Sequence, residues 1–109
     1  MAYDEHLAGR IREVLAGRDG LSERKMFGGI AFMVGGNMAV GVIGSDLMVR
    51  VGPAGHDDAL AEDHVRPMDF TNRPMRGMVY VDQAGTDSDA ELARWVGKGA
   101  AFASSLPAK

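Results

Sequence analysis

The sequence predicts an α+β fold: a two-layer sandwich in the order α-β-β-β-α-β-β-α, with an antiparallel sheet covered by helices mainly on one face. Three observations carry this. Eighteen consecutive uncharged residues, Met26 to Ile43, are interrupted near their middle by Gly35-Gly36-Asn37 and so divide into two strand-sized runs. A third run, Leu47 to Val51, follows the short-turn signal Gly44-Ser45-Asp46. Segments with helical periodicity stand at both ends of the chain. An apolar window of about 18 residues can read as a membrane span. Here Gly-Gly and Gly-Asn supply the positive φ of a tight hairpin turn, and two buried strands are the better reading.

The elements follow in order. Leu7, Ile11, Val14 and Leu15 lie on one face of a helix spanning roughly Asp4 to Ala16, with Asp4 as N-cap and Gly17 as stop. Ser22 to Lys25 reads as a charged connector into the meander. Gly52-Pro53 breaks the third strand, and Ala54 to Asp63 has the composition of a short acidic helix. Pro67 and Pro74 exclude a regular central strand in the next segment but allow an edge strand near Val65 to Phe70. Met78 to Val81 is a further strand, closed by Asp82-Gln83-Ala84-Gly85. The last helix is marked by the capping-box pair Ser88 and Glu91. Leu92, Trp95, Gly99, Phe102 and Leu106 trace its inner face, and Pro107 ends it.

With 109 residues, the chain is expected to be one domain over 1–109. Its 46 % hydrophobic and 25 % charged residues are ordinary globular proportions. A net charge of −3 disfavours nucleic acid as a partner. The absence of cysteine excludes disulfides, a thiolate nucleophile and Cys-ligated metal. The N-terminus lacks a basic segment followed by an apolar core, so no signal peptide is read there. A cytoplasmic location without membrane attachment is the expectation.

Strand alternation adds an interface prediction. Leu47, Val49 and Val51 share one face of the third strand, and Met48 and Arg50 the other; Met33 lies similarly in the first strand. Three helices cover one face of a five-stranded sheet but seldom both. The second face, with Met33 and Met48, is then an apolar surface in need of cover, and homodimerisation is its leading use. The seven internal methionines either form that adaptable surface or fill the core. Arg50, a charge within an apolar strand, is assigned to the dimer edge.

Candidate chemistry is sparse. Lys25-Met26-Phe27-Gly28-Gly29 fails as a phosphate loop, because lysine precedes the glycines and a strand follows. The glycines read as a bulge or sharp strand entry, with an anion nest assisted by Lys25 and Arg24 as the alternative. His56 and His64 bracket an acidic segment. Eight residues along a helix separate them by about 12 Å, too far to share one metal. Arg66, Arg73 and Arg76 surround Pro67 and Pro74 near Phe70, and with Lys25 form the candidate site for an anionic ligand or nucleotide. No catalytic set and no cofactor fingerprint is legible, so no cofactor and no catalytic residue is assigned.

Lys25-Met26-Phe27-Gly28-Gly29, Phe32-Met33-Val34 with Gly36-Asn37-Met38, and Asp46 to Val51 together resemble the TfoX/Sxy N-terminal domain family. Pro67-Met68-Asp69-Phe70, Arg73-Pro74-Met75, Met78 to Val81, and the final helix with Leu92 and Trp95 extend the resemblance over nearly the whole chain. It implies a helix, three strands, a helix, two strands and a helix, and a dimer. The family takes its name from regulators of natural competence that carry a second, helical domain. The resemblance covers only their first domain, so what it implies is a non-catalytic regulatory or interaction domain rather than a role in competence.

Overall fold

Short turns string the sheet together. The computed structural model describes residues 3–26, 28–70 and 73–107, with the side chains at 26, 68–70 and 73–76 outside the description. Strands β1 (Leu21–Met26), β2 (Gly29–Val34), β3 (Asn37–Ile43) and β4 (Asp46–Arg50) form an antiparallel meander. A last hairpin, β5 (Val65–Phe70) and β6 (Arg73–Val81), docks through β6 onto β4, giving the spatial order β1-β2-β3-β4-β6-β5. Gly35 and Gly36, at φ 61° and 82°, make the two-residue turn between β2 and β3. Two positive φ values in succession suit the right-handed twist of the flanking strands.

The α+β class and the antiparallel sheet agree with the sequence reading, with one addition. The expected connector Ser22–Lys25 belongs to β1, paired along its length with β2. Its charges obscured the strand, because an edge strand needs only one apolar neighbour and tolerates polar residues on its free side. Pro74 is also accommodated within β6. It pairs with Asp69 of β5, in a stretch beyond the reach of β4, which joins β6 only at Met78 to Val81.

Three helices cover one face. Helix α1 (Glu5–Leu15) starts at Asp4, whose carboxylate accepts the Leu7 N–H at 3.1 Å. It buries Leu7, Ala8, Ile11 and Leu15, while Val14, expected inside, is 39 % exposed. The short α2 (His56–Leu60) occupies only the middle of the predicted acidic helix. In α3 (Asp89–Ser105), Ser88 Oγ accepts the Glu91 N–H at 3.1 Å. Only this half of the capping box forms as expected, since the Glu91 carboxylate takes Arg94 instead. Trp95, Leu92 and Val96 of α3 pack with Leu7 and Ile11 of α1 on Phe32, Val40, Val42, Leu47, Val49, Val79 and Val81.

A bulge seats α3. The register shifts between Phe32, opposite Val40, and Met33, opposite Met38, so Ala39 is an extra residue in β3. Gly99 lies directly over it. A Cβ there would stand 3.0 Å from the Ala39 carbonyl carbon and 2.7 Å from Val40 Cγ1. The helix therefore approaches the sheet at a distance only glycine permits. No helix among the described residues is long and apolar enough to cross a membrane.

Candidate interaction surface

Register alone assigns the second face, because side chains alternate across a strand. One row crosses the whole sheet on this side: Arg24, Ala31, Gly41, Met48, Tyr80, Arg66. Ser22, Met33 and Met38 flank the row in one direction, and Ile43 and Asp46 in the other. Gly41 leaves a notch in the middle. Met48 lies across it, and a Cβ at Gly41 would be 2.5 Å from Met48 Cε. Met48 is thereby fully buried within the single chain, packed with Met78 and walled by half-buried Met38, Ile43 and Tyr80. This second apolar cluster consists only of strand residues and is separate from the core beneath the helices.

The β5 side of the face is polar. Arg66 lies over the Tyr80 ring, 5.1 Å from its centroid, and spans β6 to reach β4. Its Nε donates to Asp82 Oδ1 at 2.7 Å and its Nη2 to Asp46 Oδ2 at 2.6 Å. These two bonds, to Asp82 first and Asp46 second, raise the guanidinium pKa further, while burial pushes the Tyr80 phenol upward. Such half-exposed pairs contribute at most about 1 kcal/mol each. One cation between two carboxylates leaves this corner with a net charge of −1.

Of the candidate anion-binding residues, Lys25 and Arg66 are not brought together. Lys25 is on β1 and Arg66 on β5, the two edges of the sheet. Five strand spacings separate them by about 24 Å. They also face opposite ways, since Lys25 pairs with Ile30 of the helix-covered face and Arg66 with Tyr80 of the other. The guanidinium of Arg66 is taken up by Asp46 and Asp82. Arg73 and Arg76 belong to β6, and their side chains lie outside the described residues, as does Phe27.

Of the expected interface residues, Met33 is half-buried on the second face, whereas Met48 sits beneath that surface. Arg50 finds its partner within the chain, its guanidinium 5.3 Å from the Phe102 ring centroid. Sequence reading missed Tyr80, Asp46 and Asp82, and placed Arg24 only in an alternative anion nest with Lys25. The period-2 alternation in each strand was a usable signal, but joining the strands into a row required their register.

The histidines do unrelated things. His56 is buried, and its Nδ1 accepts the Gly77 N–H at 3.0 Å. The Gly77 carbonyl in turn accepts from Val51 and Gly52, so one glycine ties α2, the segment after β4, and β6 together. His64 adopts φ 69°, a left-handed conformation rare outside glycine. It borders an open cleft of about 560 Å³ with Glu62, Glu91, Arg94 and Trp95. Arg94 stacks on Trp95 at 4.6 Å and donates to both Glu62 and Glu91, which joins the segment after α2 to α3. Among the described residues no three His, Asp or Glu side chains converge to hold a metal.

The family model described as the TfoX N-terminal domain matches residues 13–103, most of the chain. No curated protein and no solved structure matches it.

Proposed function

The chain belongs to the TfoX N-terminal domain family, and from that premise we propose a non-catalytic regulatory domain that works by protein–protein contact, homodimeric through its second sheet face. The observation that carries this reading is the second apolar cluster. Met38, Ile43 and Tyr80 bring it to the surface on the side away from the helices, and Met33 extends it beside its pairing partner Met38. Methionine-rich patches adapt to a partner's shape at little conformational cost.

The sheet edges support the same conclusion by elimination. β1 carries exposed Glu23, Arg24 and Lys25 along one edge, and β5 carries Pro67 along the other. Charged side chains and proline on edge strands oppose pairing with a further strand. Growth of the sheet edge to edge is therefore disfavoured, which leaves its free face for association through the sheet.

Light scattering on the wild type and on Met33→Glu tests the reading. A wild-type dimer that the substitution converts into a folded monomer supports it. A wild type that is monomeric at high protein concentration refutes it.

A further inference from the structure

Resting on the homodimer just proposed, we infer that its two copies pack face to face about a two-fold axis running parallel to the strands between β3 and β4. In that arrangement Arg24 of each copy lies over the Arg66–Asp46–Asp82 group of the other. The inference comes from the distribution of charge along one row of the sheet. Arg24 and Arg66 end the same row, on the same face, at opposite edges. Arg24 is exposed and makes no ion pair among the described residues. Arg66 at the far end is matched by two carboxylates, so the described groups at the two ends of this row carry +1 and −1.

A two-fold axis relating two stacked sheets lies in the plane between them and has two simple orientations. Running across the strands, it would leave each strand above its own copy. Arg24 would then face Arg24, and the acidic corner would face the acidic corner. Running along the strands, it exchanges the two edges while preserving the position of each row. β1 then lies over β5, where the Arg66 guanidinium is drawn aside over Tyr80 toward Asp46 and Asp82, and Arg24 meets a group in which carboxylates outnumber the cation, twice per dimer. Like charges placed opposite each other in an interface are penalised, and complementary ones fix its orientation. Isologous contact of this kind is the usual form of a closed dimer. The middle of the row suits close approach, since Ala31 and Gly41 are small and Met48 lies flat across the glycine.

Charge reversal tests the arrangement. Arg24→Glu, Asp82→Lys and the double variant are compared with the wild type by sedimentation equilibrium at moderate salt, with a thermal melt to verify folding. Each single reversal is expected to raise the dimer dissociation constant about tenfold, and the double reversal to restore it. A wild-type dimer in which the double variant is no tighter than the weaker single variant overturns this arrangement and leaves the homodimer standing. A monomeric wild type overturns both. A second measurement uses the absence of cysteine. Ile43→Cys, near the proposed axis, should be joined into a covalent dimer by a short bismaleimide that spans facing sheets about 10 Å apart, and Arg24→Cys, five strand spacings from its copy, should not. The reverse result overturns the proposal.

Discussion

Two glycines in one helix should respond to alanine in opposite ways. Gly97 and Gly99 both lie inside α3, where alanine is intrinsically better than glycine by about 1 kcal/mol. At Gly97 an added methyl would meet nothing within 4 Å, so Gly97→Ala is expected to stabilise by about 0.5–1 kcal/mol. At Gly99 the methyl would be 2.7 Å from Val40 Cγ1 and 3.0 Å from the carbonyl carbon of Ala39, with the Ala39 oxygen closer still. Most of that obstruction is backbone, held in a bulge between β2 and β4, and it has no rotamer by which to yield. Overpacking of this kind costs about 2–3 kcal/mol when helix and sheet must separate. Subtracting the propensity gain leaves Gly99→Ala destabilising by roughly 1–2 kcal/mol. The two variants should then differ by about 2 kcal/mol, or some 8 °C in melting temperature for a domain of this size. Urea denaturation at one fixed protein concentration measures the difference without interference from association. If Gly99→Ala proves as stabilising as Gly97→Ala, the close seating of α3 on the β3 bulge is wrong.

Other expectations can be tested by the same denaturation measurements. His56→Ala would remove the acceptor of the Gly77 N–H and strand a buried donor, destabilising by about 1–3 kcal/mol; an unchanged midpoint would show that the bond contributes nothing. Arg12 holds the Glu23 carboxyl below the ordinary range, and Arg94 does the same for Glu62. A depressed carboxylate stabilises the fold above the unfolded value of about 4.3, and that contribution is lost as pH falls through the folded value. Glu62→Gln should therefore lower stability slightly at pH 7 and flatten the decline below pH 4. An undiminished acid slope would remove the Glu62–Arg94 pair as its cause. Burial raises the Tyr80 phenol, so Tyr80→Phe should reduce the alkaline loss of stability, in which the unfolded chain gives up its phenolic proton first.

Much of the fold was legible wherever a local pattern has a local cause. Asp4 and Ser88 mark helix starts because each side chain accepts a first-turn N–H. Gly35-Gly36 marks a hairpin because its backbone needs positive φ. Val65–Phe70 could be placed at an edge because Pro67 lacks a donor. β1 was hidden for a related reason: the charges that make an edge strand safe from further pairing also make it look like a loop. The second face was anticipated through Met33, yet the depth of Met48 was not, because its burial depends on a glycine in the neighbouring strand.

The candidate site divides along the same line. In the sequence Arg66, Arg73, Arg76 and Lys25 read as one group of cations. Strand order put Lys25 and Arg66 at opposite edges, on opposite faces, and gave Arg66 to Asp46 and Asp82. Arg24, read with Lys25 as an alternative anion nest, is instead one end of a row that crosses the sheet.

The sequence by itself determined the α+β class, the turns, the helix caps and the existence of a two-sided sheet. Each of these follows from backbone conformation and side-chain spacing within a few residues. The tertiary structure alone decided which side chains share a row, which methionine lies beneath the surface, and which charges cancel. Those properties depend on strand register and order, and so on contacts between residues far apart in the chain.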